Sequence, residues 1–397
     1  MFNKPFSELA LHDFENLIAA RATEGQDLEF KRQTWGGNDE EVREMLRDIS
    51  SMANAVGGYI LVGMDEDESG TAKLLEPVPD AEKERDRILA SCLANLNPRI
   101  IGLDIKTVQL SPSEQVLLLR APNSAHLHQV TFKGLYQFWI RHDRQKTRMT
   151  YEEIREAITK RQVNVEQAAR VWERSKSSLD TNASPFLQLA ASPLMLSGDL
   201  IDIADQSLRT TIQQSPSSRV NGWTFNFPYK RVRPTLNGLR IGSIEENRGL
   251  ELHRNGFLEG YVLLEENHAL YEKRFQHRDT VEARLLIKGL ALTEFVHSFM
   301  TKARALYDYI GYQGPLLICA RLANIREIGL WPYAGERMHD GELLFWGEGT
   351  LDIDGLVFEF VDANLMTKIL CDRVWQAFGL ESEPFSNNGQ FDFGRFS

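Results

Sequence analysis

Cysteine is scarce in this chain. Only Cys92, Cys319 and Cys371 occur among 397 residues, far apart and odd in number. None has CxxC spacing and none sits in a Cys/His cluster. A structural zinc is therefore not expected, and a reducing cytoplasm is. Long apolar runs are also missing: none reaches the roughly 18 residues that a membrane span needs. The opening MFNKPFSELALHDFENLIAA carries early acids and no cleavable apolar core, so no signal peptide is expected. An excess of basic charge is absent too. The formal net charge of −11 argues against a generally basic nucleic-acid coat but leaves room for a local basic groove. What is present is the balance of a soluble globular protein, 42% hydrophobic and 25% charged, in a chain long enough for two domains.

Periodicity supplies the elements. In LHDFENLIAARA, Leu11, Phe14, Leu17 and Ile18 share a helical face. DLEFKRQ alternates, with Leu28 and Phe30 on one side and Asp27, Glu29 and Lys31 on the other, as in a half-buried strand. EEVREMLRDISSMANAVGG spaces Val42, Met45, Leu46, Ile49, Met52, Ala53 and Val56 as a helix that Gly57 ends. YILVGMD reads as a short buried strand running into an acidic turn. EKERDRILASCLANL is a helix stopped at Asn97-Pro98. LDIKTVQL and EQVLLLRA form a strand pair, and LYQFWIRHDRQKTR begins as a strand and ends basic. Thr150 and Glu153 make a capping box that opens a helix to about Ser177.

Polar SKSSLDTNASP marks a domain boundary, giving domains at 1–178 and 185–397. In the second, WTFNF, LNGLRIGS, GFLEGYVLL, GPLLICARL, GELLFWGEGTL and GLVFEFVD read as strands. DTVEARLLIKGLALTEFVHSFMTKARALYDYIG and NLMTKILCDRVWQAFG read as apolar helices for a core or a dimer contact, and SEPFSNNGQFDFGRFS as a loose tail. The expected class is α/β (α+β), a mixed-sheet domain followed by a second α+β domain.

The stretch TEGQDLEFKRQTW poses the functional question. Glu29 and Lys31 lie on one strand face, so they form either an exposed ion pair of small worth or an acid-x-Lys nuclease strand. In such a strand the carboxylate orients a hard cation and the lysine stabilises charge developing at phosphorus. Glu24 converges with Glu29 only from a loop or helix end, and TEG supplies that break. Asp65 follows a buried strand, where ligands of α/β proteins often bind. Glu66, Asp67 and Glu68 read as a solvated turn. NAVGG follows a helix and lacks a lysine-serine/threonine ending, so it is a helix cap and not a phosphate loop.

Arg141, His142, Arg144, Lys146 and Arg148 form a basic segment able to meet phosphates or to stand as a solvated loop. Tyr136, Phe138 and Trp139 before it face a core or stack on a base. His126 and His128 share a strand face and favour packing or substrate contact. Lys230, Arg231 and Arg233 beside Phe227 and Tyr229 favour an ordinary exposed connection.

Taken in order and spacing, EGQDLEFKR, ISSMANAVGGYILVGMDED, LNPRI, VLLLRAPNSAHLHQV and GLYQFWIRHDRQKTRM resemble the Schlafen AlbA-like domain family over roughly residues 20 to 160. The resemblance implies a domain working on nucleic acid. In Schlafen proteins it implies a metal-dependent endoribonuclease using two glutamates and an aspartate, at positions matching Glu24, Glu29 and Asp65. It implies Mg2+ or Mn2+ at those carboxylates, Lys31 on the transition state, and RNA of tRNA-like type as substrate, in defence against phage. Arg141, Arg144, Lys146 and Arg148 would grip phosphates. Gly25 departs from the serine that usually follows the first glutamate. Schlafen nucleases pair two lobes and this chain shows one, so a homodimer is expected to supply the second. Two rival readings are a non-catalytic nucleic-acid-binding regulator and a module binding ATP.

Overall fold

The computed structural model describes residues 6–124, 126–179, 184–194, 200–214, 222–276, 281–312, 314–332, 345–358 and 361–396. They fall into two compact units, Met1–Asn164 with Gly311–Pro315, and Val165–Ile310 with Leu316–Ser397. The division lies inside a helix, whereas the sequence reading sets the boundary after it. The class is mixed α+β, as expected.

The first unit begins with helix α1 (Leu11–Ala19), strand β1 (Leu28–Lys31) and helix α2 (Asp39–Asn54). At the start of α2, Asn38 accepts from the Glu41 amide, and Asp39, Glu40 and Glu41 fill the first turn. Both features offset the unpaired amides and positive end of a helix. After α2, Gly57 takes φ 75° and donates its amide to Met52 O at 3.0 Å. NAVGG is thus a helix end, and its glycines serve close packing: a Cβ on Gly58 would sit 2.3 Å from Asp27 O.

There follow β2 (Gly58–Val62), β3 (Met64–Glu66), β4 (Ala72–Leu75), α3 (Ala81–Asn95), β5 (Leu96–Asn97), β6 (Asp104–Ser111), β7 (Glu114–Ala121), β8 (Gln129–Val130), β9 (Gln137–His142) and β10 (Gln145–Arg148). One sheet has the order β1-β2-β7-β6, a second β10-β9-β8-β5, and β3-β4 form a hairpin. β1 is parallel to β2 and forms the end of its sheet.

Both faces of the first sheet are covered. Met45, Ile49 and Met52 of α2 and Ile88 of α3 pack with Ile60, Val62, Leu117 and Leu119. Phe14 of α1 packs with Leu28, Phe30, Leu61 and Leu118 on the other side. The alternation in DLEFKR is real, but the face carrying Glu29 and Lys31 lies against α2, with Glu29 buried and Lys31 only partly exposed.

Helix α4 (Tyr151–Ser178) opens with the Thr150–Glu153 capping box: the Thr150 amide donates to Glu153 Oε2 at 2.7 Å, and the Glu153 amide donates to Thr150 Oγ1 at 3.3 Å.

The second unit contains β11 (Phe186–Pro193), α5 (Gln206–Gln213), β12 (Arg233–Pro234), β13 (Gly238–Ser243), β14 (Arg248–His253), β15 (Leu258–Leu263), β16 (Leu270–Gln276), β17 (Val281–Lys288), α6 (Gly289–Tyr309), β18 (Leu316–Ala323), β19 (Gly329–Trp331), β20 (Thr350–Phe358), α7 (Ala363–Ala377), β21 (Ser386–Asn387) and β22 (Gln390–Phe391). A seven-stranded antiparallel sheet runs β12-β13-β14-β15-β11-β18-β20, beside a three-stranded sheet β16-β17-β19.

Four sequence expectations change here. VEARLLIK is a strand, because it pairs with β16 on one side and β19 on the other, and the helix starts only at Gly289. The apolar side chains of α6, Phe295, Phe299, Met300 and Leu306 among them, are buried within this unit. They are therefore not a dimer face. WTFNF is irregular, its amides satisfied by side chains: Trp223 donates to Glu294 Oε2 and Phe225 to Ser298 Oγ. The terminal segment is packed, with Phe385 and Phe393 buried and Phe391 stacked on Phe393 at 5.5 Å. Residues 279–280, 341–344, 359–360 and 397 of the expected elements lie outside the described residues. No described helix is long and apolar enough to cross a membrane.

Candidate functional site

Glu29 leaves β1 toward α2 and is 4% exposed. Its two oxygens are each taken by a cation: Lys31 Nζ is 2.7 Å from Oε1, and Arg141 Nη1 donates to Oε2 at 2.6 Å. Lys31 also lies 3.3 Å from Asp48 Oδ2. Asp48, fully buried on α2, accepts from Trp35 Nε1 at 2.8 Å and pairs with Lys146, which also holds Glu44. The result is a closed ladder of alternating charge between β1, α2, β9 and β10. Burial and Asp48 push the Glu29 carboxyl above its usual range, against the pull of Lys31 and Arg141. Burial alone would lower the Lys31 ammonium, but Asp48 and Glu29 outweigh it and raise its pKa.

Arg141 is 2% exposed and also donates to Gly25 O at 2.9 Å. Lys146 is spent on Asp48 and Glu44. The expectation that these two grip phosphate does not fit their positions, since neither presents a free cationic head. Arg144 and Arg148 are exposed, as that expectation requires.

Glu24 does reach β1 from the TEG break. Its Oε1 accepts from the Phe30 amide at 2.8 Å, and the Gly25 amide donates to Leu28 O at 3.0 Å, so the segment lies along the open side of the strand. A Cβ on Gly25 would meet only Asp27 Oδ1, at 4.0 Å. Glycine in place of serine is therefore sterically neutral and leaves Glu24 held as it is.

The acid that meets Glu24 is Glu66. It lies within electrostatic and hydrogen-bonding reach of Glu24, with Arg144 and Lys31 next in influence. Burial first and Glu24 second push its carboxyl above the usual range. Its Oε2 is buried with no hydrogen-bond partner. Arg144 Nε lies 3.5 Å from Glu24 Oε2 and its Nη1 donates to Ser69 O at 2.7 Å. Gly70 makes room for it: at φ 75°, a Cβ there would sit 2.1 Å from Arg144 Nη2. Asp65 instead faces Arg32 and Lys73, at 3.9 and 3.8 Å. The structure thus brings Glu24 together with Glu66, sets Glu29 and Lys31 in the adjoining ladder, and turns Asp65 to a different pair of cations. The reading of Glu66 as a solvated turn is corrected by its place on β3, where successive side chains leave on opposite sides.

Asp48, Glu44 and Glu66 escape the sequence reading. Asp48 has a signal: it falls three residues after Met45 and four before Met52, inside the apolar stripe of its helix. His128 is a packing residue, its Nδ1 2.7 Å from Pro98 O and its amide donating to Asn54 Oδ1 at 2.7 Å. His126 lies in an irregular segment, so the two share no strand face. Trp139 packs on the core under Arg47, whose guanidinium is 4.7 Å from the ring centre.

With this geometry in place, comparison with known proteins is specific for one domain. Among solved structures, the chain is similar to the N-terminal domain of a RecG-related protein from Nitrosomonas europaea, at 18% identity over 29% of this chain and 74% of that one, TM-score 0.24. It is also similar to the DIP2311 protein from Corynebacterium diphtheriae, at 17% identity over 51% of this chain and 34% of that one, TM-score 0.24. No curated protein matches. The family model described as Schlafen, AlbA_2 matches residues 24–150, and the N-terminal unit therefore carries a domain of that family.

Proposed function

We propose that the N-terminal unit acts on nucleic acid as a divalent-metal-dependent nuclease of Schlafen type, with RNA favoured over DNA. The observation that carries this reading is the Glu24–Glu66 pair, two neighbouring carboxylates with one oxygen buried and unpartnered. Arg144 offsets one of the two charges, and the buried oxygen of Glu66 leaves a place for a further cation or a shared proton. Mg2+ and Mn2+ suit it, because Mg2+ is commonly held by one or two carboxylates with water and substrate phosphate completing its shell. The set Glu24, Glu29 and Asp65 fits an ion less well, since Glu29 is filled by Lys31 and Arg141 and Asp65 faces Arg32 and Lys73.

When bound, the ion would orient water and offset charge at the phosphate. The chain's residues do the rest. Glu24 and Glu66 hold the ion. Lys31, partly exposed at the edge of the ladder, meets the charge that develops on the phosphate. Arg144 and Arg148 bind the backbone on either side. Glu29 is a positioning residue that fixes Lys31 through its 2.7 Å contact.

A specific observation favours a second reading, a non-catalytic nucleic-acid-binding regulator: the ladder around Glu29 is already neutral without any ion. Incubating the full chain with tRNA, single-stranded DNA and ATP, each with Mn2+ and with EDTA, separates the possibilities. Mn2+-dependent cleavage of tRNA supports the nuclease. Retention of nucleic acid in Mn2+ and in EDTA alike, with cleavage in neither, supports the regulator. Stabilisation by ATP alone overturns both in favour of a nucleotide module.

A further inference from the structure

The second unit has its own convergence of ligating groups, independent of the first. Strand pairing sets Glu251 of β14 directly across from Arg240 of β13 and from Glu259 of β15, so the three side chains share one face of the sheet. His253 follows two residues after Glu251 and returns to the same face. One ligand atom from each of Glu251, His253 and Glu259 lies within 4.8 Å of the others. His253 Nε2 and Glu259 Oε1 are 2.9 Å apart, in hydrogen-bond contact, and would part to about 3.3–3.6 Å around a tetrahedral ion with bonds near 2.0–2.2 Å.

Arg240 neutralises Glu251, contacting Oε2 at 2.7 Å, while Thr235 Oγ1 donates to Oε1 at 2.8 Å. Each of those oxygens keeps a second lone pair. Glu259, half-buried, accepts from Ser175 Oγ through Oε2, faces His253 Nε2 through Oε1, and lies within electrostatic reach of Arg240.

A second observation points to a ligand. Glu251, Glu259 and Arg240 line a cavity of about 260 Å³, together with Tyr261 and Gln188. Gln188 is 2% exposed, its amide nitrogen donates to Ser175 Oγ at 2.8 Å, and its Oε1 has no hydrogen-bond partner. A buried amide oxygen left without a donor costs free energy, and here it borders the same cavity as the two carboxylates.

We propose that the second unit holds a divalent ion of the zinc class on Glu251, His253 and Glu259, with an open position facing this cavity. One imidazole and two carboxylates form a three-ligand set of the kind that leaves zinc a fourth position for water or substrate. Water there would donate to Gln188 Oε1. Arg240 at the cavity wall suits an anionic group as the exchanging ligand. The cysteines take no part, being free and buried elsewhere.

The test is calorimetry with Zn2+ on the full chain, in excess Mg2+ to occupy hard-cation sites. A single equivalent should bind. His253→Ala and Glu259→Gln should each weaken it by roughly 100-fold or more, since even residues behind metal ligands cost 10–100-fold, while Glu24→Gln should leave it unchanged. Zinc-edge absorption on the wild type, which needs no variant, should show one imidazole with oxygen ligands and no sulfur. Absence of Zn2+ binding, unaltered binding in His253→Ala, loss in Glu24→Gln, or sulfur at the ion would each overturn the proposal.

Discussion

Glu29→Gln tests whether the family glutamate is first a structural residue or first a chemical one. The substitution keeps the shape and removes the charge. Arg141, 2% exposed, would then face neutral acceptors alone, the new amide oxygen and the carbonyls of Gly25 and Leu28, the last two at 2.9 and 3.4 Å. Leaving one member of a buried pair uncompensated costs about 3–5 kcal/mol. Burial already pushes the Glu29 carboxyl upward, and Asp48 adds to this. Removing the charge therefore relieves part of that penalty, and the lower end, about 3 kcal/mol, is expected. That is a little over two powers of ten in the opening equilibrium. Native-state hydrogen exchange reads it directly: amides of β2 and β7 should exchange roughly 100-fold faster or more, while those of α6 keep their protection. Replacing both partners, Glu29→Gln with Arg141→Met, should cost less than the sum of the single changes. Unchanged protection in β2 and β7, or strict additivity in the double variant, would refute the view that this pair holds the unit together. Any loss of turnover in Glu29→Gln has to be read against that cost.

Three other outcomes follow from the same contacts. Glu66, its carboxyl raised by burial and Glu24, holds a proton in the folded state at pH values where the unfolded chain has released it. Stability of the first unit should therefore fall as pH rises above the usual carboxylate value of 4.5, and urea titrations should show Glu66→Gln removing part of that fall and leaving the part that the raised Glu29 carboxyl contributes. Lys302, buried with its Nζ donating to Ile212 O at 2.7 Å, has its pKa pulled down by burial to about 7. Between 7 and the ordinary 10.5 the unfolded chain binds the extra proton, so the second unit should gain stability with pH across that window, and Lys302→Met should flatten the gain. Arg148→Ala should reduce the slope of log affinity against log salt by roughly 0.7–0.9, one phosphate contact, with Lys146→Ala acting on stability instead; an unchanged slope would assign Arg148 to solvent alone.

Much of the first unit was legible because its signals are local. The period of α2, its acidic start and its glycine end lie within one stretch, as does the Thr150–Glu153 box. The alternation of Leu28, Glu29, Phe30 and Lys31 was readable too, but the fate of the polar face was not. That depends on α2 landing on it, a contact between segments the sequence keeps apart. Glu24 was readable as arriving from a break, whereas its partner was not, because Asp65 and Glu66 differ only in which side of a short strand they leave. In the second unit β11 was missed. All eight of its residues are buried, so it has no alternation to display, and it lies inside the seven-stranded sheet, between β15 and β18. VEARLLIK was read as helix because its apolar content runs on into α6, and only pairing with β16 and β19 makes it a strand.

Glu24 has a consequence for how copies of this chain avoid one another. β1 ends its sheet, and an end strand offers bare amides and carbonyls to any extended peptide that drifts alongside. The Glu24 carboxylate occupies the Phe30 amide, and the Gly25 amide occupies Leu28 O, so the TEG segment acts as a stub that denies the edge to a further strand. Substitutions at Glu24 therefore open a seam for self-association as well as altering the carboxylate pair. A Glu24→Ala protein that is inactive because it has assembled edge to edge would look, in a turnover assay alone, the same as one that has lost its ion.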